Sequence, residues 1–489
     1  MRAATTTPVV TTAPRAALVV STVANLAIQL DTVGMFAVYP EILRVFSGTP
    51  EATLSWVLNA YTIAFAAFLV PAGRLADRFG RRVLFLTGTI FFGLGAGLCG
   101  IAPNPELLIA ARIMQGLGAA MLIPTSLALV LVAFPLNRRA GAVNQWVAGG
   151  AIGGVIAPTL GGLIITTIGW RWFLSLSLLL GLLAFVLGRR YLVESERDVY
   201  EPIPDVLGLI LLIAGLSLLA LGIVRPDGLA VGGVGRTLTI ALGGVVMGLF
   251  GLRSVRFPNP AISLTLLADP VRALASVAML VFGMTFTAMF LGWNLFLTKQ
   301  WHFTSFEAGL AITLGPVIAM LTATVARRLA DKFGHRSLLL PGAATYSVSG
   351  ILLVQAVAGP PNLFAYWLPA LVISGVGVGL LSSALSGLTV FGLPQGRFAV
   401  GAGMGQAIRQ LGGVIGVALV IALLQALDPA TAFWLIYSFM AGGGLIIALI
   451  TLPVLRQAGE DSRPAVAQPS PTSSAAESCR VDDCWRAEP

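Results

Sequence analysis

The sequence predicts an all-α integral membrane protein of 14 transmembrane helices, arranged as two six-helix bundles with two extra helices between them. Three observations carry this reading. The chain divides into 14 long apolar runs joined by short polar segments. Only 10% of its residues are charged against 57% hydrophobic, whereas soluble domains carry about 25% charged residues, so it cannot coat a water-exposed surface and a soluble enzyme is excluded. The chain also repeats itself: R-L-A-D-R-F-G at 74–80 returns as R-L-A-D-K-F-G at 328–334, and G-G-V-I-A-P-T-L at 153–160 is echoed by G-G-V-I-G-V-A-L at 412–419. Offsets of 254 and 259 residues exceed one six-helix half but suit a half plus an inserted pair.

Each element follows from its own run, since a spanning helix needs ~20 mostly apolar residues. Residues 1–16, rich in Thr, Pro and Ala, read as a cytoplasmic tail, and the run that follows reaches Tyr39. That length exceeds the apolar core of a signal peptide, so this segment reads as a retained first helix. Runs at 53–73, 83–102, 107–134, 142–168 and 172–193 complete an N-terminal bundle over 17–193. An acidic connection with Glu194, Glu196, Arg197, Asp198, Glu201 and Asp205 leads to runs at 206–224 and 237–252, the extra pair within 194–257. Pro258, Pro260 and Pro270 mark a linker, and runs at 273–298, 306–326, 337–358, 363–390, 398–427 and 432–455 carry the C-terminal bundle, which with its linker spans 258–455. Residues 456–489, with Pro, Ser, Ala and charges but few large apolar groups, read as a disordered cytoplasmic tail.

The net charge of +9 is distributed as a membrane protein distributes it. With the N-terminus inside, inner loops and tails collect 23 of the 30 basic residues and outer loops hold five, Arg44, Arg171, Arg225, Arg236 and Lys299. This pattern argues for a multi-pass protein of the cytoplasmic (inner) membrane with both termini cytoplasmic, and against a nucleic-acid partner. Cys99, in a span, and Cys479 and Cys484, in the tail, are expected as free thiols. With only His302 and His335, both in connecting segments, no metal cluster or Ser-His pair can be built from histidine within the membrane.

Once the loops are counted two arginines remain, Arg112 and Arg409, and one acid lies near the middle of a run. Asp31 is the only carboxylate near mid-span, and burying an acid there costs ~2.5–3.5 kcal/mol or more, which makes it a functional candidate. At 100° per residue it shares a face with Ala24, Ala27, Gly34 and Val38, expected to pack against a helix, while Thr22, Asn25, Gln29 and Thr32 form a polar stripe expected to face water. Arg112, with Gln115, Gly116 and Ala119 on one face, is the natural partner of Asp31, and opening and closing that pair would couple protonation to conformation. Arg409 shares a face with Gln406, Gln410 and Gly413 and has no acid in any C-terminal span to pair with, so structural and substrate-contact roles stay equally open.

Two further stretches have a local logic. In G73-R-L-A-D-R-F-G-R-R82, Gly73 and Gly80 allow close helix approach and a tight turn, while Asp77 can pair with a neighbouring arginine or cap a helix. In the fifth helix, Gly149, Gly153, Ala157 and Gly161 form one small-residue ridge and Gly150, Gly154, Pro158 and Gly162 its neighbour; both allow close packing, and Pro158 frees a carbonyl that can bend the helix.

The 73–82 segment and its recurrence resemble the inner-loop signature of the major facilitator superfamily, which implies a conformational latch made of Gly73, Asp77, Arg78, Gly80, Arg81 and Arg82. The second copy departs from it, with Arg327 for the first Gly and His335 for the first closing Arg. The fifth helix resembles the superfamily's antiporter signature at Gly154, Pro158, Gly161 and Gly162, with Ala157 in place of the usual Gly. R-x-x-Q-G at 112–116 is similar to its proton-relay signature. L-D-T-V-G-M-F-A-V-Y-P at 30–40, W56-V-L-N-A-Y61, W170-R-W172 and R409-Q-L-G-G-V-I-G-V-A418 resemble the fourteen-span drug:proton antiporters, with Val33 and Phe36 where Thr and Asn are usual.

This resemblance implies the major facilitator fold and a monomeric, non-enzymatic antiporter. It would export lipophilic drugs, secondary metabolites or lipid-like compounds by alternating access, with no cofactor and the proton as coupling ion. Asp31, Arg112 and Gln115 would carry proton coupling. Asn25, Gln29, Trp56, Asn59, Tyr61, Trp293, Asn294, Gln406 and Arg409 are candidates for the substrate cavity, alongside the aromatics Trp146, Phe290 and Phe296. A single mid-membrane acid argues for one proton per cycle and for neutral or singly charged substrates, with Glu41 and Glu307 as the reserve acids. A proton-driven uptake symporter should lack the Gly-Pro ridge, and a membrane-embedded acyltransferase or hydrolase should carry clustered His, Cys or acids in its spans.

Overall fold

The computed structural model describes residues 14–194, 202–224, 232–394 and 398–461, together with Arg197. The readings of the tail before Pro14, of Glu196, Asp198, Glu201 and Arg225, and of the C-terminal segment with Cys479 and Cys484 lie outside the described residues. The regular structure described is helical throughout, with 14 helices long and apolar enough to cross a membrane. In chain order they are α1 (Pro14–Val45), α2 (Trp56–Phe79, entered through the single turn Glu51–Leu54), α3 (Arg81–Ile101), α4 (Pro105–Ala133), α5 (Arg139–Thr167), α6 (Trp170–Tyr191), α7 (Val206–Ile223), α8 (Gly232–Arg256), α9 (Pro270–Leu295), α10 (Ser305–Phe333), α11 (Leu339–Ala358), α12 (Leu368–Thr389), α13 (Phe398–Ala426) and α14 (Pro429–Asp461). The fourteen-helix, two-bundle fold expected from the sequence is therefore observed. An even number of alternating spans puts the start of α1 and the end of α14 on one face, here the termini face; the opposite side is the far face.

Several helices overrun their apolar runs on the termini face. The second run was expected to stop at residue 73 and the tenth at 326, yet α2 continues to Phe79 and α10 to Phe333. The segment read as a loop, R-L-A-D-R-F-G, is thus the last turns of α2 closed by a one-residue junction. Apolar patterning follows the membrane, whereas the i→i−4 bonds of a helix continue beyond it where charged side chains reach water. What ends both helices is backbone geometry: Gly80 (φ 110°) and Gly334 (φ 82°) occupy conformations that favour glycine.

The starts of three helices are fixed by side chains. Asn104 Oδ1 accepts from Leu107 N at the head of α4, Asp269 Oδ1 accepts from Val271 N and Arg272 N at the head of α9, and Thr304 with Glu307 forms a reciprocal cap on α10. Glu41, for its part, pairs with Arg44. Both reserve acids are thereby engaged at the far face.

The first bundle packs α1 on α5 and α6, α2 on α4, and α3 on α4 and α6; the second packs α9 on α13 and α14, α10 on α12, and α11 on α12 and α14. The bundles meet along α5–α10 and α2–α13. The apolar core is divided into several clusters. In the far half, Leu30, Tyr39, Val57 and Phe173 of the first bundle share one buried cluster with Phe290, Trp293, Phe296 and Trp367 of the second. Val20, Phe65 and Phe92, with Tyr61 at the depth of Arg112, form a separate cluster belonging to the first bundle, joined from the second by Ala407. The bundles share their largest buried cluster in the far half; nearer the termini they also meet, through Ala67 with Met404 and through a hydrogen bond from Arg327 Nη1 to Asn144 Oδ1 at 3.3 Å.

Helices α7 and α8 form a hairpin beside α2 and α13. Gly215 and Gly222 of α7 face Met247 and Ile240 of α8, and Gly243 of α8 faces Leu219 of α7. Arg253 clamps the base with two hydrogen bonds to Asp205, at 2.6 and 2.8 Å, and holds that carboxyl below the usual carboxylate range.

Candidate functional site

Asp31 lies at the centre of a buried polar network in the first bundle. Its carboxylate is fully buried and accepts from Arg112 Nη1 at 2.7 Å, from Gln115 Nε2 at 2.8 Å and from Ser177 Oγ at 3.3 Å. Arg112, 1% exposed, also donates to Gln115 Oε1 at 2.7 Å and through Nε to Val57 O at 3.2 Å, and its guanidinium lies 4.1 Å from the centre of the Tyr61 ring. Tyr61 OH is 3.1 Å from Thr32 Oγ1, which brings α1 back into the network. The structure thus brings together the three residues assigned to proton coupling.

Small residues make this closeness possible. A Cβ at Gly116 would lie 2.5 Å from Tyr61 O, so Gly116 lets α2 approach α4 and set the Tyr61 ring and the Val57 carbonyl against Arg112. A Cβ at Gly95 would lie 2.7 Å from Gln115 N, and one at Gly34 would enter the Phe173 ring, so α3 and α6 close in likewise. The face shared by Ala24, Ala27, Asp31, Gly34 and Val38 is buried, as its periodicity predicted. Within this shell the pair is chemically complete. A proton added to Asp31 removes the charge that Arg112 pairs with, and a departing Arg112 leaves an uncompensated buried charge.

The polar stripe of α1 behaves differently from the expectation at one position. Gln29 and Thr32 are half-buried, but Asn25 is buried and donates to Trp146 O at 3.0 Å. Asn25 is therefore a packing contact with α5 in this conformation and does not face water. Gly150, which faces its amide, lets the helices come that close.

The two ridges of α5 divide their work. Gly149 and Gly153 pack on Thr22 and Leu26 of α1, and Gly161 on Ala37 and Phe173. On the neighbouring ridge Gly154 faces Val33, while Pro158 and Gly162 meet α10, where the Pro158 carbonyl abuts Gly309 and Gly162 abuts the Ser305 backbone. Thr159 Oγ1 and Thr313 Oγ, 2.6 Å apart, bridge this seam between the bundles.

At the α2–α3 junction, Asp77 pairs with Arg81 at 2.9 Å across Gly80, and Gly73 packs on Pro124. Glu194, on the chain leaving α6, caps α3 by accepting from Arg82 N at 3.0 Å and Val83 N at 3.2 Å, and Arg82 Nη2 donates to Arg189 O. Arg78 lies over the Phe79 ring, and Arg74 reaches Pro260 O in the linker. These described contacts hold the segment to its own bundle and to the linker.

The remaining cavity candidates separate. Trp293, 1% exposed, packs among Phe290 and Trp367, and Asn294 donates to Phe290 O, so both belong to the packed interior of the second bundle. Trp56 packs towards the cluster that α7 shares with α2 and α13. Asn59 is 1% exposed, and its amide has no partner among the described residues. Trp146 is buried against Val130 and Ala142, while Phe290 stands 6.0 Å from Phe36 of the first bundle and Phe296 stacks on Trp367. Arg409, half-buried, donates through Nε to Gln406 Oε1 at 3.2 Å and lies 5.7 Å from the Phe286 ring centre. Sequence reasoning missed Ser177, the Val57 carbonyl and Glu194. A serine in an apolar run carries a weak signal, a backbone carbonyl carries none, and Glu194 reads in the sequence only as part of an acidic connection, without its role at the head of α3.

Comparison with known proteins adds independent findings. A family model described as Major Facilitator Superfamily matches residues 22–293 and 273–487. The multidrug resistance protein Stp of Mycobacterium tuberculosis is 30% identical over 382 residues, covering 78% of this chain and 70% of that one. The methylenomycin A resistance protein of Streptomyces coelicolor is 27% identical over 422 residues, covering 84% and 87%. The drug efflux pump JefA of Mycobacterium tuberculosis is 30% identical over 403 residues, covering 80% and 77%. Among solved structures, the POT family transporter PepTSo superposes with a TM-score of 0.66 at 16% identity, covering 91% of this chain and 99% of that one, a likeness of fold alone.

Proposed function

The chain belongs to the major facilitator superfamily as a multi-pass membrane transporter of the drug-efflux type, not an enzyme, and from that premise we propose that it is a proton-coupled antiporter exporting lipophilic small molecules. In this reading it works as a monomer in a bacterial cytoplasmic membrane, with the termini face in the cytoplasm and with no cofactor beyond the coupling proton. One observation carries the reading: the only mid-span acid of the chain is fully buried on an arginine in the same bundle.

The cycle follows from that geometry. In this reading the far halves, joined through the cluster of Leu30, Val57, Phe290 and Trp293, form the outer gate, and substrate enters from the cytoplasm. Opening the α5–α10 seam admits water from the far side, Asp31 exchanges Arg112 for a proton, and the proton leaves once the seam closes and Arg112 returns. The protonated and the arginine-bound acid favour different bundle arrangements, so a proton gradient biases a rocking motion that moves substrate the other way. Gly73–Arg82 sets the balance between arrangements, and the Gly-Pro ridge of α5 forms the moving seam.

The test is transport in inverted membrane vesicles. Energised vesicles carrying the protein should accumulate a lipophilic fluorescent substrate, and collapsing the proton gradient should release it. Accumulation by right-side-out vesicles under an inward proton gradient would assign uptake instead.

A further inference from the structure

The charges inside the membrane do not balance. Asp31 and Arg112 cancel one another at 2.7 Å, which leaves Arg409 as the net charge of the spanning region. Every acid of the second bundle, Asp269, Glu307, Asp331, Asp428, Glu460 and Asp461, stands at or beyond a helix end, and among the described residues no carboxylate pairs with Arg409. An unpaired cation at this depth is costly to keep, while its guanidinium offers five donors in a planar fork and Gln406 Oε1 takes only one of them.

Its surroundings suit a ligand. Arg409 lies 12 residues into α13, well inside the span, and one turn further on Gly413 faces Thr287 of α9 and Thr62 of α2. This face therefore borders the seam between the bundles. Phe286 supplies a flat apolar wall, Gln406 a neutral amide, and Gly413 the absence of a side chain. A planar fork beside an aromatic ring recognises a carboxylate, phenolate or sulfonate carried on an aromatic body, through paired charge-assisted hydrogen bonds and stacking.

We propose that Arg409, Gln406 and Phe286 form an anion-recognition subsite in the seam, which selects lipophilic weak acids among the compounds exported. The proposal rests on the efflux reading and names its substrate class. It also revises the charge expected of the substrate, from neutral or singly charged of either sign to neutral or anionic.

Three probes of one shape test it on the purified full-length protein: 1-pyrenebutyrate, 1-pyrenebutanol and 1-pyrenebutylammonium, with binding read by pyrene fluorescence against a protein-free micelle blank. Wild type should bind the carboxylate about tenfold tighter than the alcohol, and the ammonium more weakly than either. R409Q should bring the carboxylate-to-alcohol ratio to about one, and R409K should keep part of the preference. Equal affinities in wild type, a preference for the ammonium, or a ratio unchanged in R409Q would overturn the subsite. Should R409Q not fold, the wild-type order and the intermediate ratio in R409K still decide the matter. Because binding needs no gradient, the two readings fail separately: a carboxylate preference without proton-driven transport of any probe refutes efflux and keeps the subsite. Proton-driven transport of the ammonium with no carboxylate preference does the reverse.

Discussion

Removing either member of the Asp31–Arg112 pair should cost far more than removing both. In Asp31→Asn the amide keeps the shape of the side chain, but Arg112 stays charged and buried with only the Gln115 Oε1, Val57 O and Tyr61 ring contacts, none of them an anion. In Arg112→Gln the carboxylate keeps Gln115 and Ser177 and loses its counter-charge. Stranding one buried ion costs about 3–5 kcal/mol, whereas replacing both by neutral groups of similar size is close to neutral. The double variant should therefore recover most of either loss, with a coupling energy of about 3 kcal/mol or more. The assay is SDS-driven unfolding of the purified variants in mixed micelles, followed by tryptophan fluorescence. Strictly additive single losses would show that the pair is not an isolated charge couple and would refute this account of the network. Asp31→Asn should also remain folded while losing transport driven by a pH gradient in proteoliposomes; retained transport sinks the proton-coupling assignment.

The other predictions address motion and charge. Asp77→Asn breaks a half-buried pair with Arg81 across the Gly80 junction, so turnover should slow while substrate affinity by calorimetry changes little; an equal loss of binding would show the segment acts on the cavity instead. Cysteines at Thr159 and Thr313, whose hydroxyls lie 2.6 Å apart, should form a disulfide that holds the far half closed and stops transport until reductant restores it; full transport by the oxidised protein would exclude this seam as the moving one. With one proton inward per cycle, efflux of a neutral substrate moves one charge, of a monocation none and of a monoanion two, each charge worth ~2.3 kcal/mol per 100 mV. A potassium-valinomycin potential at fixed pH gradient should accordingly drive the anion most and the cation not at all. Voltage-driven efflux of a monocation would refute single-proton coupling through Asp31.

The number and order of helices were readable because apolar runs and loop charges follow the bilayer itself. The helix ends on the termini face were not, since Arg74 to Phe79 continue a helix where hydropathy no longer reports one, and only the backbone of Gly80 stops it. Asp31, Arg112 and Gln115 stood out because ionised side chains inside apolar runs are scarce, and helical spacing put Gln115 on the face of Arg112. Asn25 shows the limit of spacing: its stripe is polar, yet a carbonyl on α5 and the glycine opposite bury it. Glu194 reaches the head of α3 from 112 residues away, a contact that only the tertiary fold creates. Trp56 and Trp293 were placed with the cavity by residue type, but an aromatic side chain in a span looks the same in a sequence whether it lines a cavity or fills a core.

The central claim is that proton movement through Asp31 and substrate movement are one exchange. Proteoliposomes holding the wild-type protein and an internal pH dye, loaded with a lipophilic substrate and diluted into substrate-free buffer without any imposed proton gradient, test it directly. Substrate leaving down its own gradient should draw protons inward and acidify the lumen, and Asp31→Asn vesicles should show no such change. Substrate efflux from wild-type vesicles with no proton influx, or an equal influx in the Asp31→Asn variant, would contradict the account.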